Sequence, residues 1–209
     1  MKLLVAVTGA LLLTGCSVFG QNNVEIAPYQ VLKADSSLQI EIRQYAPMVL
    51  VSAEMTDGGR NSAFRKLFRY ISGENQGATE ISMTAPVFMD GSLSTGKGTE
   101  IAMTAPVLMN NQASTPLMSF VMPKDFTLQT TPKPKDPTVT VRELKNYKVA
   151  TIQFSGTLSE SNVATHRQIL QDWLKTQGYV AISAPVEAGY NGPMTLPPLR
   201  RNEILIEIQ

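Results

Sequence analysis

The sequence contains one cysteine, one histidine and one tryptophan among its 209 residues. Zinc sites usually take three or four protein ligands, most of them histidine or cysteine, and a disulfide needs two cysteines. With only Cys16 and His166, the chain cannot form a disulfide or a zinc site built from several imidazoles and thiolates. A G-x-S-x-G nucleophile elbow and a phosphate-binding P-loop are also missing. We therefore predict a protein that is not an enzyme.

The charged residues show no excess of either sign. The chain has 18 basic and 17 acidic residues, and its formal net charge is +1 at pH 7. Binding to nucleic acid depends on basic residues that neutralise phosphates. The charge balance therefore predicts no nucleic-acid partner.

The chain also lacks a long apolar run. Its longest one, residues 3–13, follows Lys2 and is too short for a membrane-spanning helix, but it is typical of a signal peptide. The run leads into Leu13-Thr14-Gly15-Cys16, which resembles a bacterial lipobox. We predict a signal peptide over residues 1–15 and lipidation of Cys16; an ordinary signal peptide with an incidental cysteine is the alternative.

Lipidation would define where the protein lies. Acyl chains such as palmitate contribute about 0.8 kcal/mol for each buried CH2 group, so they anchor a domain without a spanning helix. Residues 16–28 are short and mostly polar, and we predict a tether there. Ser17 after the cysteine resembles an outer-membrane sorting signal. The prediction is a cell-envelope lipoprotein, in the outer membrane and facing the periplasm.

Residues 29–209 are predicted to form one domain of class α+β. Two segments share a plan of strand, turn, strand, loop and amphipathic helix, namely LQIEIRQYAPMVLVSAEM with NSAFRKLFRYISG, and VTVRELKNYKVATIQFSG with ESNVATHRQILQDWLKTQG. We expect two pseudo-repeated halves, each with one helix. Asn61 or Ser62 is expected to cap the first helix and Gly73 to end it; Ser159 or Ser161 and Gly178 do the same for the second.

A second, shorter repeat lies between these segments. TEISMTAPVFM, residues 79–89, and TEIAMTAPVLM, residues 99–109, are identical at nine of eleven positions. Apolar residues alternate along both copies, which indicates two strands, and the turn residues between them favour a hairpin. Pro86 and Pro106 lack an N–H and should fall at an edge or a bulge. The regularly placed methionines could bind Cu(I), but they share their face with isoleucine and valine, which favours a core.

The single histidine allows two interpretations. On a helical wheel His166 lies with Val163, Ile169 and Trp173, which favours a packed side chain at the edge of the core. A ligand of haem iron or of another metal is the second interpretation. The cations Arg65, Lys66 and Arg69 on the first helix are either a solvated face or a rim that pairs with carboxylates of an apolar ligand.

Several motifs together resemble the SOUL haem-binding protein family. They are AFRKLFRYISGEN at 63–75, IAMTAPV at 101–107 with its near copy at 81–87, FVMPKDF at 120–126, VATIQFSG at 149–156 and LRRNEILIEI at 199–208. They occur in the family's order and extend over the chain from about Pro28 to its end. The resemblance implies a distorted antiparallel β-barrel of two similar halves, each with one helix.

The resemblance also implies a ligand and a site. Family members are described as binding haem or other tetrapyrroles in a shallow apolar groove beside the first helix, often without a dedicated iron ligand. On this chain Phe64, Leu67 and Phe68 would contact the macrocycle, while Arg65 and Arg69 would meet the propionates. The loop of residues 189–198 would form the other side of the groove through Tyr190 and Met194. A binding module for another apolar ligand, and a structural or interaction lipoprotein, remain the alternatives.

Overall fold

A computed structural model of the chain describes residues 24–56, 58–77, 98–112, 115–192 and 194–209. The predicted signal peptide, Cys16 and the first copy of the short repeat lie outside these residues. The described helices are α1 (Gly59–Ile71), α2 (Glu160–Thr176) and a short 3-10 helix (Pro197–Leu199). The described strands are β1 (Glu25–Ile26), β2 (Tyr29–Asp35), β3 (Ile40–Tyr45), β4 (Met48–Glu54), β5 (Asn75–Gln76), β6 (Thr104–Ala105), β7 (Val107–Asn110), β8 (Leu117–Val121), β9 (Lys133–Pro134), β10 (Val139–Leu144), β11 (Lys148–Phe154), β12 (Val186–Gly189) and β13 (Asn202–Glu207).

Nine of these strands form one curled antiparallel sheet with the shape of a half-barrel. Their order is β10-β4-β8-β7-β12-β13-β11-β3-β2, so β10 and β2 are its edge strands. Two short pairs lie apart from it, a parallel pair of β1 with β6 and an antiparallel pair of β5 with β9. The predicted α+β class with an antiparallel, barrel-like sheet is confirmed.

The sheet order shows the predicted duplication. The first half contributes β3, β4, α1, β7 and β8, and the second contributes β10, β11, α2, β12 and β13. Counted inward from the β10 edge, the strands are β10, β4, β8 and β7. The other edge carries the extra strand β2, and the strands counted inward after it are β3, β11, β13 and β12. Equivalent strands thus take equivalent places, and the halves meet at the β7–β12 pair. The first strand of each half pairs with the second strand of the other half.

The helix ends agree only in part with the sequence. Helix α1 begins at Gly59, after Gly58 in the left-handed region (φ 78°), and no side chain caps it. The predicted caps Asn61 and Ser62 are therefore wrong, because the helix starts before them. Gly73 ends α1 with a φ of 103°, a conformation that glycine adopts without steric penalty. In α2 the Ser159 hydroxyl accepts a hydrogen bond from the Asn162 N–H, so that cap is confirmed.

Different groups of buried residues pack on the two faces of the main sheet. Alternate side chains of a strand point to opposite faces. Val49, Val51 and Ala53 of β4 pack with α1, and Ile152 of β11 packs with α2; we call this side the helix face. The opposite side holds a separate cluster that includes Leu50 of β4. Because that cluster contains Tyr45, Tyr147 and Tyr190, we call it the tyrosine face.

The second copy of the short repeat forms β6 and β7, with Pro106 between them. Strand β7 pairs with β8 on one edge and with β12 on the other. Both edges are therefore occupied, and the predicted hairpin between the two copies does not form along β7. Met109 and Ile101 are buried in the core of the helix face, as their alternation predicts.

The chain enters the fold before the predicted domain boundary. Ala27 is 2% exposed and packs on the tyrosine face, and β1 pairs with β6. Residues 24–28, which the sequence assigned to the tether, thus belong to the folded domain. In the part of the chain that the structure describes, no helix combines the length and hydrophobicity needed to cross a membrane.

Candidate functional site

Two phenylalanines of α1 are exposed side by side. Phe64 and Phe68 are 38% and 48% exposed, their ring centroids are 6.1 Å apart, and the rings are nearly parallel, at 14°. The Phe64 ring also contacts the buried ring of Phe120 in β8 in an edge-to-face arrangement, with ring centroids 5.4 Å apart. This contact fixes the position of the Phe64 side chain. We call Phe64 and Phe68 the aromatic platform.

The spacing of the helix explains why these rings stay exposed. Residues three or four apart share one side of a helix. Ala63, Leu67, Tyr70 and Ile71 form the side of α1 that packs into the core, and they are all buried. Positions 64 and 68 follow 63 and 67 by one residue, so their side chains lie on the flank of that buried stripe.

Cationic side chains flank the aromatic platform. Arg65 and Arg69 lie on exposed positions of α1. Arg69 Nε is 3.3 Å from Glu74 Oε2, and both side chains are more than half exposed, so this ion pair is weak and readily exchanged for another partner. The hydrogen bonds from Thr138 lower the pKa of the nearby Asp136, with smaller contributions from Lys66 and Arg69. Exposed aromatic and cationic side chains thus lie together on α1, and their role as a ligand site stays a prediction.

Two other predicted site residues are not at this surface. Leu67 has no exposed area and packs in the core under α1, so its side chain cannot contact a ligand on the platform. Tyr190 lies on the tyrosine face, on the other side of the sheet from α1, and is 7% exposed. Met194 is 75% exposed in the following loop. The structure therefore does not bring Tyr190 beside Phe64 and Phe68.

Tyr190 instead belongs to a buried ionic cluster. Its hydroxyl donates to Glu203 Oε2 at 2.7 Å. Arg43 donates from Nη1 and Nη2 to the same carboxylate at 2.8 and 3.1 Å, and Arg201 Nη2 donates to Glu203 Oε1 at 2.6 Å. Burial raises the pKa of Tyr190, and the adjacent carboxylate of Glu203 raises it further. Paired hydrogen bonds of this kind hold the buried charges in place.

The buried ionic cluster was not predicted from the sequence, although two strands carry a signal for it. In the strands IEIRQY and NEILIE, a charged residue lies two positions before an apolar one and therefore on the same side of the strand, Arg43 with Tyr45 and Glu203 with Leu205. Arg43 and Glu203 are 2% and 0% exposed. Charged residues with so little exposure are rare unless they are paired. The pairing could not be deduced from the sequence because 160 residues separate the two.

Two cavities lie on the tyrosine face. The N-terminal cavity, about 150 Å³, is lined by Val24, Ile26, Ala105, Tyr190, Asn191, Leu199 and Arg201. The far cavity, about 140 Å³, lies towards the other end of β13, and its lining includes Leu50, Leu108, Leu144, Tyr147, Ser183 and Glu207. Each is similar in size to cavities that hold benzene in other proteins.

The side chain of His166 packs against an aromatic ring of β11. Its ring stacks on Phe154 with centroids 4.2 Å apart and an interplanar angle of 15°. Its Nδ1 lies 2.8 Å from the carbonyl oxygen of Asn162, which can only accept, so Nδ1 carries the hydrogen. The histidine lies on α2, whereas the platform lies on α1. Among the described residues, no three histidine, cysteine, aspartate or glutamate side chains form a group that could hold a metal ion.

Comparison with known proteins connects these features to a family. The profile of the SOUL heme-binding protein family matches residues 24–207. Heme-binding protein 1 of Mus musculus is 27% identical over 201 residues, covering 90% of this chain and 94% of the mouse protein. The Sus scrofa protein of the same name is 26% identical over 194 residues, with the same coverage.

A solved structure shares the fold. The crystal structure of an uncharacterized conserved protein from Listeria innocua superposes with a TM-score of 0.53 and 11% identity, covering 82% of this chain and 93% of the other. At this level of identity the similarity concerns the fold alone.

Proposed function

The chain belongs to the SOUL haem-binding family, and on that premise we propose that it binds haem or a related tetrapyrrole on the aromatic platform of α1. The observation that carries the proposal is the exposed, nearly parallel pair Phe64 and Phe68 with Arg65 and Arg69 beside it. The mammalian relatives are named for haem binding, and their similarity extends over nearly the whole chain.

The residues present fit such a ligand chemically. A tetrapyrrole offers a flat apolar face and two carboxylates. Exposed aromatic rings favour contact with a flat apolar face, and arginine pairs well with carboxylates. Phe68, the more exposed of the two rings, would provide most of the contact area. Arg69 would exchange Glu74 for a propionate.

Binding, rather than catalysis, is the activity that these residues support. Bound haem would supply redox and ligand-binding chemistry of its own. The side chains of the platform hold and orient a ligand, but they offer no group for proton transfer or nucleophilic attack. We propose that the protein is a carrier or reservoir for a tetrapyrrole and not an enzyme.

We also propose a cellular location for the protein. The Leu13-Thr14-Gly15-Cys16 sequence after an apolar run supports a lipid anchor on Cys16. We propose a lipoprotein of the cell envelope, in the outer membrane and facing the periplasm. Incorporation of labelled palmitate tests the anchor: it should disappear in Cys16→Ser, and unchanged incorporation would contradict it.

A haemin titration followed by absorbance tests the ligand and the site. Phe68→Asp should weaken binding by about tenfold or more, because it places a charge against the apolar macrocycle. Arg69→Ala should weaken it only several-fold, since exposed ion pairs contribute about 0–1 kcal/mol. Val180→Asp is the matched control, because Val180 is 55% exposed and lies beside Gln209 rather than α1. Equal haemin affinity of wild type, Phe64→Asp and Phe68→Asp would contradict the platform as the site.

The far cavity favours a second candidate function, the binding of another small apolar molecule. Leucines line this cavity together with Tyr147, which is 6% exposed and whose hydroxyl makes no hydrogen bond to the part of the chain that the structure describes. A hydroxyl-bearing apolar ligand would satisfy it. Binding of phenol, a small hydroxyl-bearing aromatic molecule, measured by titration calorimetry tests this function. Leu108→Trp, which fills the cavity, should abolish that binding, whereas Phe68→Asp should not change it.

A further inference from the structure

We propose that the surface around the N-terminal cavity rests on the lipid bilayer, and this inference depends on the proposed anchor at Cys16. Four exposed apolar side chains form this surface, which we call the apolar rim: Ile26, Met194, Leu196 and Leu199. They are 44%, 75%, 50% and 45% exposed. Clustered exposed apolar residues on a protein commonly mark an interaction surface.

The rim is an ordered part of the fold. Ile26 and Leu199 line the same cavity, and the Leu199 N–H donates to the Leu196 carbonyl at 2.9 Å. The Thr195 N–H donates to the Gly192 carbonyl at 3.1 Å, which closes the turn that carries Met194. The loop is also fixed to the second half of the sheet, because the Gly156 N–H donates to the Pro197 carbonyl at 2.8 Å. The apolar side chains are therefore held outward.

The path of the chain explains why a bilayer, rather than another partner, would cover this rim. Val24 lines the N-terminal cavity with Ile26 and Leu199, and it follows Cys16 by only eight residues. An extended chain spans at most about 3.6 Å per residue, so Cys16 lies within roughly 29 Å of Val24. A lipid on Cys16 therefore keeps the rim close to the membrane. The opposite end of β13 lies about 20 Å further along the strand.

One charge near the rim agrees with an anionic lipid surface. Arg200 directly follows Leu199, whereas the neighbouring Arg201 is paired with buried Glu203. Between Ala188 and Asn202 the chain carries no acidic residue. Basic residues next to an apolar surface are attracted to anionic headgroups. We infer that Leu199 and Met194 lie at the level of the headgroups and that the platform on α1 remains accessible from the aqueous side.

Site-directed spin labelling of the lipidated full-length protein tests this orientation. The protein is reconstituted in phosphatidylcholine–phosphatidylglycerol vesicles with a nitroxide on Leu199→Cys, and Met194→Cys provides an independent second position. Val180→Cys is the matched control, because Val180 is equally apolar, 55% exposed and lies at the other end of β13, where the Gln209 N–H donates to its carbonyl. Collisions with oxygen report lipid, and collisions with a water-soluble nickel chelate report solvent.

We expect the labels at 199 and 194 to be protected from the nickel chelate severalfold more than the label at 180. Equal accessibility at all three positions, in protein that floats with the vesicles, would overturn the bilayer contact while the anchor stands. Protein that lacks the lipid and does not float would overturn the anchor and this inference together. Flotation is measured on the same samples, so the two failures are distinguishable.

Discussion

Arg43 and Glu203 form a doubly hydrogen-bonded ion pair between β3 and β13, with Nη1–Oε2 and Nη2–Oε1 distances of 2.8 and 3.1 Å. Neither strand is the other's neighbour, because β11 lies between them. The pair therefore bridges across a strand on the tyrosine face. Arg201 and Tyr190 share the same carboxylate, so one acidic group organises three partners from separate parts of the sequence.

The first prediction concerns this carboxylate. Glu203→Ala should lower the free energy of unfolding by about 3–5 kcal/mol, because it leaves buried guanidinium groups without their partner. Arg60→Ala is the control: it removes an ion pair of similar length with Glu187, 2.8 Å, but Arg60 is 44% exposed, so the loss should be about 0–1 kcal/mol. Urea denaturation measures both. Equal losses would show that burial does not determine the contribution of these pairs.

The second prediction concerns Gly98, whose N–H donates to the Gly73 carbonyl at 3.0 Å. A Cβ at Gly98 would overlap the carbonyl oxygens of Gly73 and Asn75, so Gly98→Ala should cost about 1–3 kcal/mol of stability. Gly77→Ala is the matched control, because a Cβ there meets Thr99 Oγ1 at an ordinary 3.5 Å, and its change should stay within about 0.5 kcal/mol. Thermal unfolding followed by circular dichroism compares the two. A Gly98→Ala protein as stable as Gly77→Ala would disprove the overlap.

The third prediction distinguishes two methionines of the second repeat copy. Met109 is 6% exposed, so Met109→Ala should cost about 2–5 kcal/mol as a cavity-forming change. Met103 is only partly buried, and Met103→Ala should cost less. Denaturant midpoints measure the difference. A larger loss at Met103 would mean that Met103, rather than Met109, is the more tightly packed of the two in the core of the helix face.

The fourth prediction concerns pH. Hydrogen bonds from Ser37 and then from Trp173 lower the pKa of Asp35 from its ordinary 3.8, and Trp173 Nε1 donates to Asp35 Oδ2 at 3.0 Å. A carboxyl group whose pKa is lowered by folding stabilises the folded state at pH values above 3.8. That contribution is lost as the pH falls through the folded-state pKa. Trp173 is the chain's only tryptophan, so its fluorescence should change in that range while the fold persists. Asp35→Asn should lack this transition; the same transition in the variant would assign it to another group.

The fifth prediction concerns His166. Because its ring stacks on Phe154 and its Nδ1 hydrogen bonds within α2, His166→Ala should leave haemin affinity and the Soret band unchanged and reduce only stability. Absorbance titration and thermal unfolding measure the two effects. A shifted Soret band with lost affinity would identify His166 as an axial ligand and place the site on α2.

Local patterns in the sequence predicted the elements and the duplication. The alternation in β3 and β10, the glycines after both helices and the Ser159 cap are local signals, and each matches the structure. The start of α1 was missed because Gly58, rather than a polar side chain, precedes it. The hairpin of the two repeat copies stays a prediction for the rest of the second copy, because the first copy lies outside the described residues. It does not form along β7, whose two edges pair with β8 and β12, and the sequence does not show that pairing.

The candidate site was predictable only where one helix carries it. Phe64, Phe68, Arg65 and Arg69 lie within six residues of each other, so helical geometry alone placed them on neighbouring positions. Helical geometry alone did not predict that Leu67 is buried while Phe64 and Phe68 are exposed. The burial of each position depends on how α1 is rotated about its axis on the sheet. Tyr190 was misplaced because the face of the sheet that it occupies is set by strand pairing between distant segments.

The position of β13 couples the stability of two parts of the sheet. This strand is the last in the sequence, Asn202–Glu207, yet it lies in the interior of the sheet between β12 and β11. Without β13, the sheet would divide into two separate groups of strands, β10-β4-β8-β7-β12 and β11-β3-β2. We expect the removal of residues 202–209 to be as damaging to stability as the removal of a whole half, so the two groups of strands become stable only together.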